Sequence, residues 1–341
     1  MARPFEEALR LGEAAYSDGE FRDALRYAEE ALALSPRSID GLDLFANALA
    51  ELGEWEKADA AFAELLTHDP SNPSILLSAA DVKIRQPGDD RERLAEGLTL
   101  VDEAWPKAKK DAQLFIEAEL LRGVANNQLG ECELALESFE RILDVEADHS
   151  EALLEAGIAR FELGRFEEAK ATFGRLLADF PEEAWAHHYL GLIAERSGAN
   201  PAPHFERAQS LSPEEFPAPV HLEPAKFDEA VADAIAGLPA HAKPHLANVI
   251  INVEPLPSDE EIREGLSPAI LGVFHGTPVD ERSPLEAGDH HTARITLYQK
   301  NLERFATTRD ELLEEIRVTV LHEVGHLLGL DEDELYERGL D

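Results

Sequence analysis

Along the first two hundred residues, apolar and small side chains recur in paired helical rhythms, punctuated every 34 positions. Gly19 and Gly53 are 34 apart, as are Ala24 and Ala58, and Pro36 and Pro70. Gly130, Gly164 and Gly198 keep the same step, and so do Ala135 and Ala169. A fixed period of this length predicts helix–turn–helix units stacked on one another, with small residues where paired helices approach and aromatics filling the space between units. From Gly53 to Gly130 the step is 77 residues, so a degenerate unit with an insertion occupies about residues 74–110. There Gln86-Pro87-Gly88-Asp89-Asp90 interrupts the helical pattern. Pro201 and Pro203 fall where the second helix of the last unit should begin.

After residue 212 the pattern changes. Ser212-Pro213-Glu214-Glu215-Phe216-Pro217-Ala218-Pro219 is proline-rich and acidic, and reads as a semi-rigid boundary. The remainder is long enough for one modest core. Within it, Arg294-Ile295-Thr296-Leu297-Tyr298 alternates and predicts a strand, either a sheet edge or a plain core strand. Near the C-terminus Thr308-Arg309-Asp310-Glu311 has capping-box spacing. Leu312, Leu313, Ile316, Val320, Leu321, Val324, Leu327 and Leu328 follow in helical rhythm, and Gly329 stands where a C-terminal glycine turns the chain.

That last helix carries the candidate chemistry, His322-Glu323-Val324-Gly325-His326. Histidines four apart project from one helix face and can share one zinc ion. Glu323 lies beside that face, where it can accept a proton from water activated at the metal. A catalytic zinc takes three protein ligands and leaves one position open. Glu332 is the first choice for the third, in HExxHxxGxx followed by Glu. Asp331, Asp333 and Glu334 are neighbouring alternatives, and His290 and His291 offer an upstream one. The metzincin pattern has a third histidine there and a methionine beneath the metal, whereas the only methionine in this chain is Met1. His275, His290, His291, Tyr298 and Tyr336 are candidates for stabilising an oxyanion.

Two resemblances follow from these residues. Leu11-Gly12 through Gly19-Glu20-Phe21, Ala24, Ala31-Leu32 and Pro36, and the corresponding positions of later units, resemble tetratricopeptide repeats. Ile250 to Glu254, Leu271 to Pro278, Arg294 to Tyr298 and Arg317 to Glu323 are similar in order and character to a compact bacterial zincin-like metallopeptidase family. That family ends its motif in an acidic residue, often Asp, where this chain has Glu332. The resemblance covers about residues 225 to 341 and implies a small zincin fold, with zinc on His322 and His326 and Glu323 as base.

The formal net charge is −39, and residues 217–341 hold 25 acidic against 10 basic side chains, so both parts share the excess. No basic patch is present to neutralise phosphates, which argues against a nucleic-acid partner and weakly favours a basic peptide or protein. No apolar run of membrane-spanning length occurs. The N-terminal residues lack the apolar core of a signal peptide, and Cys132 is the sole cysteine, so a cytoplasmic setting is expected.

The reading is a multidomain protein. An all-α tetratricopeptide solenoid of about six units at 1–212 is followed by a linker at 213–226. A small α+β zincin-like metallopeptidase domain occupies 227–341. The expected function is zinc-dependent endopeptidase cleavage of a protein or peptide recruited by the array. The alternatives are a scaffold that binds zinc without cutting, and an exopeptidase.

Overall fold

The computed structural model describes residues 3–88, 90–279, 293–331 and 334–335. The chain forms two compact units, Met1–Ala159 and Arg160–Asp341.

The first unit is built from antiparallel helix pairs: α1 (Phe5–Ser17) and α2 (Phe21–Leu34), α3 (Ile39–Glu51) and α4 (Trp55–His68), α5 (Pro73–Arg85) and α6 (Arg91–Ala108), α7 (Ala112–Gln128) and α8 (Cys132–Val145). A further helix, α9 (Ser150–Glu162), follows α8. The 34-residue period has a direct backbone cause. Gly19, Gly53 and Gly130 end the first helix of their pairs with φ of 75°, 72° and 79°, the left-handed conformation that side chains resist. Each turn closes in the same way: Glu20 N–H donates to Ala15 O at 2.8 Å, Glu54 N–H to Leu49 O at 2.9 Å and Glu131 N–H to Asn126 O at 2.8 Å. The periodic alanines Ala24, Ala58 and Ala135 are wholly buried, where a larger side chain would separate the paired helices. The degenerate unit is the α5–α6 pair, in which α6 runs to 18 residues after the break at Gln86 to Gly88.

The second unit opens with the end of the repeats, α10 (Phe166–Asp179), α11 (Ala184–Arg196) and α12 (Ala202–Leu211). Gly164 and Gly198 repeat the left-handed turn at φ 69° and 73°. Pro201 is the N-cap of α12 and Pro203 lies in its first turn, where a missing N–H costs nothing. The proline-rich stretch is packed. Phe216 is buried, its ring 4.9 Å from Trp185 and 4.8 Å from His188, and Trp185 Nε1–H donates to Glu215 at 3.0 Å.

Beyond it come α13 (Pro224–Gly237), a 3-10 turn at Lys243–Asn248, β1 (Ile250–Glu254), α14 (Asp259–Arg263), β2 (Gly272–His275), β3 (Arg294–Tyr298), α15 (Gln299–Phe305) and α16 (Arg309–Leu328). The strands form one sheet in the order β1-β3-β2, with β1 parallel and β2 antiparallel to β3. Arg294–Tyr298 is therefore the central strand. Ile295, Leu297 and Tyr298 are fully buried, which decides between the two readings the alternation left open. The sheet edge adjoining α16 is β2. Phe227, Ile295, Leu297, Leu302, Leu312, Ile316, Val320 and Val324 form the core between sheet and helices. Among the described residues, no helix is long and apolar enough to cross a membrane.

Candidate active site

α16 starts and stops as its sequence requires. Thr308 Oγ1 accepts from Glu311 N–H at 3.2 Å while the Glu311 carboxylate accepts from Thr308 N–H, a complete capping box. At the other end Gly329 takes φ 94° and closes the helix. Leu312, Ile316, Val320, Val324 and Leu327 face the core, which turns the adjoining face toward β2.

On that adjoining face His322 and His326 stand one turn apart. Their rings lie 4.7 Å apart at 81°, and their Nε2 atoms approach to 3.0 Å. His326 Nδ1 lies 3.1 Å from the carbonyl oxygen of Leu330, just past the helix end. Donation of Nδ1–H to that carbonyl fixes the tautomer and leaves the Nε2 lone pair pointing at His322. Two nitrogen ligands on a tetrahedral zinc at about 2.0–2.1 Å lie roughly 3.3 Å from each other, so the observed convergence fits a shared metal.

Glu323 is only 4 % exposed and lies against β2. A Cβ on Gly272 would sit 3.1 Å from Glu323 Oε1 and 2.7 Å from Thr319 Cγ2, so only a glycine lets the strand approach the helix this closely. Gly325, between the two histidines, has a similar role on the opposite side. A Cβ there would lie 2.4 Å from Leu335 Cδ2, and Leu335 is fully buried. In the sequence alone neither glycine is marked by the neighbour it makes room for. A glycine inside a helix that is otherwise a strong helix former was the available signal for Gly325.

His322, Glu323 and His326 line a groove of about 490 Å³ together with Ile270, Gly272, Phe274, Pro278, Leu330 and Asp331. The segment after β2 is tied to α16 by Val279 N–H donating to Leu327 O at 2.8 Å. Asp331 and Glu334 cap each other: Glu334 N–H donates to Asp331 Oδ1 at 2.9 Å, and Asp331 N–H to Glu334 Oε2 at 3.3 Å. Glu332, Asp333, His290, His291 and Tyr336 lie outside the described residues. Among the described residues no three His, Cys, Asp or Glu side chains are grouped to hold a metal.

The other polar candidates are engaged elsewhere. Tyr298 donates its hydroxyl to Glu261 Oε1 at 2.9 Å. Burial, then this bond, then the charges of Glu261, Glu254 and Glu323 hold its pKa far above the usual phenol value. It remains a protonated donor committed to Glu261. Burial alone would raise the Glu261 carboxyl, but bonds from Ser258 and Tyr298 and the nearby His275 bring it below the ordinary range. His275, on β2, lies 3.7 Å from Glu261 and is not among the groove's lining residues.

Residues 246–340 match the profile of the family described as zincin-like metallopeptidase, and residues 15–82 and 128–194 match the tetratricopeptide repeat. The chain thus carries a repeat array followed by a zincin-like metallopeptidase domain. Human protein O-mannosyl-transferase TMTC1 is 24 % identical over 185 residues, covering 53 % of this chain and 20 % of that protein. Mouse FK506-binding protein-like is 40 % identical over 65 residues, covering 19 % of each. The chain spans about a fifth of the length of these curated relatives. The solved structure of PilW, a type IV pilus biogenesis factor, shares the repeat fold. It matches with a TM-score of 0.54 and 18 % identity, covering 62 % of this chain and 94 % of that one.

Proposed function

We propose that this protein is a zinc-dependent endopeptidase that cuts a protein or peptide brought to it by its repeat array. The observation that carries the reading is the convergence of the His322 and His326 Nε2 atoms at 3.0 Å beside a buried glutamate. A zincin-like domain implies zinc as its metal. His322 and His326 would hold it through Nε2, with Glu332 as the third ligand. Bound there, zinc would polarise the scissile carbonyl and acidify the attacking water.

The chain's own groups supply the rest. Glu323, packed against Gly272, takes the proton of the attacking water and returns it to the leaving amine nitrogen. β2 borders the groove and, among the described residues, pairs only with β3. Its other edge therefore suits an extended substrate backbone adding as a strand. Leu330 O keeps His326 in the ligating orientation.

The array's partner chemistry follows from its carboxylates. Asp43 on α3, Glu117 on α7 and Glu155 on α9 are each pushed upward in pKa, first by burial and then by a neighbouring carboxylate: Asp40, Asp81 and Glu151 respectively. Arg85 on α5 bridges Asp81 and Glu151 at 2.5 and 2.8 Å, an ion-pair arrangement that supports a cationic partner for these carboxylates. A segment bearing Lys or Arg would relieve the remaining like-charge repulsion.

The deciding experiment is Glu323→Gln. The variant should fold and retain zinc, lose roughly two orders of magnitude or more in cleavage rate, and capture substrates in a pull-down that wild type then cuts. If captured partners bind both forms equally and zinc-loaded wild type cuts none, the array is a scaffold and the zincin domain is not its blade.

A further inference from the structure

The end of the array and the zincin-like domain belong to one compact unit, Arg160–Asp341, and several of the contacts inside it meet at one short helix, α14. Arg196, near the end of α11, has a side chain only 8 % exposed. Its Nη2 donates to Pro257 O at 2.9 Å and to Asp259 Oδ1 at 3.0 Å, and its guanidinium lies 4.7 Å from the Phe166 ring. One charged group is thereby withdrawn from water to hold both the start of α14 and the residue before its cap. Ile262, in the middle of α14, is 5 % exposed and sits on the repeat-turn glycine Gly164, where a Cβ would meet Ile262 Cγ2 at 2.7 Å. Just beyond, Ser267 Oγ donates to Glu162 Oε2 at 2.8 Å. The same repeat helix end also reaches α15, through Glu195 to Lys300 Nζ at 3.0 Å and to Arg304.

The opposite side of α14 faces the catalytic sheet. Glu261 closes the capping box on Ser258 with Oε2, while Oε1 accepts the Tyr298 hydroxyl of β3 and stands 3.7 Å from His275 of β2. β2 in turn places Gly272 against Glu323. The chain of contacts is continuous: Gly164 and Arg196, then α14, then Glu261, then the ends of β3 and β2, then the glutamate.

We infer that the last repeats, residues 160–211, are a working part of the catalytic unit, with Gly164 and Arg196 holding α14 and Glu261 holding β2 beside Glu323. Gly164, Arg196 and Glu261 are positioning residues that touch neither substrate nor metal. The inference rests on the peptidase reading for its effect on rate, but its structural half can be read without catalysis.

The repeat glycines supply a matched pair of variants. Gly164→Ala and Gly198→Ala impose the same kind of backbone strain, at φ 69° and 73°, yet only the first pushes on a neighbour, since a Cβ on Gly198 meets nothing within 4 Å. Both are made in the full chain, with Arg196→Ala and the milder Arg196→Lys. Amide hydrogen exchange of β2 is followed by mass spectrometry, alongside zinc content and cleavage of a short generic peptide. Gly164→Ala and Arg196→Ala should speed β2 exchange roughly tenfold. They should also lower kcat on the order of tenfold or more, with zinc content unchanged. Arg196→Lys, which keeps a cation for Pro257 and Asp259 but loses the guanidinium plane against Phe166, should fall between, and Gly198→Ala should match wild type. Wild-type exchange in Gly164→Ala and both Arg196 variants would overturn the inference, as would equal effects of the two glycine variants. If wild type cuts no peptide, the peptidase reading fails, while the exchange result still decides whether the repeats hold β2.

Discussion

Replacing Gly272 with alanine tests the geometry of the site most directly. The added methyl would lie 2.7 Å from Thr319 Cγ2, 3.1 Å from Glu323 Oε1 and 3.3 Å from Glu323 Cγ. Carbon atoms in contact rest about 3.5–4.0 Å apart, so roughly an ångström must be found on the Thr319 side alone. Thr319 and Glu323 are 6 % and 4 % exposed, and α16 is backed by Val320 and Val324 in the core, so the helix cannot retreat. β2 is held by β3 in the register Gly272↔Leu297. Either the strand lifts or Glu323 swings into the groove. Overpacking of this kind costs about 1–3 kcal/mol. With about 2–4 °C per kcal/mol for a unit of this size, a mid-range cost should lower the Tm by about 4–8 °C. Peptide cleavage should fall at least about tenfold, since a misplacement near 1 Å is enough to do so. Zinc content should hold, because both histidines stay on the helix. Gly174→Ala is the control: it lies inside α10, a Cβ there meets nothing within 4 Å, and a helix-interior glycine should gain about 0.5–1 kcal/mol on becoming alanine. Calorimetry and a peptide assay on both variants suffice. If Gly272→Ala keeps wild-type Tm and rate, the close approach of the strand does not set the position of Glu323.

Two further outcomes are expected. Protein purified without added metal should contain about one zinc per chain by elemental analysis, and Glu332→Ala should weaken its retention more than about tenfold; loss from Asp331, Asp333 or His290 variants instead would reassign the third ligand. Because Asp43, Glu117 and Glu155 have folded pKa values raised by burial, the native state binds their protons more readily than the unfolded chain does. Their penalty is full at neutral pH and is relieved as pH falls toward their folded pKa values. Urea unfolding of the first unit, reported by Trp55 and Trp105, should therefore need more denaturant near pH 5 than near pH 7.5, and Glu155→Gln should raise stability at the higher pH and narrow the gap. An unchanged gap in that variant would remove Glu155 as a source.

Much of the architecture was legible because it is written in local rules. The 34-residue glycines each specify a left-handed turn, and the capping box and Gly329 bound α16 without help from the rest of the fold. The alternation at Arg294–Tyr298 specified a strand, but not its neighbours. That β1 joins it in parallel and β2 covers its other side depends on pairing between residues tens of positions apart, which no local period encodes. Gly272 and Arg196 were hidden for the same reason: one looks like an ordinary strand glycine and the other like a surface arginine until Thr319 and Asp259 are placed beside them. At Phe216 the prolines around it suggested a spacer, while its ring is claimed by Trp185 and His188 from the preceding repeat.

The carbonyl of Leu330 that receives His326 Nδ1 has a consequence for how this site can be lost. A metal-binding histidine commonly leans on a carboxylate, and a single codon change can delete such a partner. Here the acceptor is main chain, present whatever residue occupies position 330. What keeps it in place is the turn at Gly329, whose φ of 94° few other residues tolerate. The orientation this carbonyl gives His326 thus does not depend on the side chain at 330 and is exposed to nearly every substitution at 329, so a random-mutation screen for zinc retention should find its sensitive position at the glycine, one residue before the atom that makes the bond.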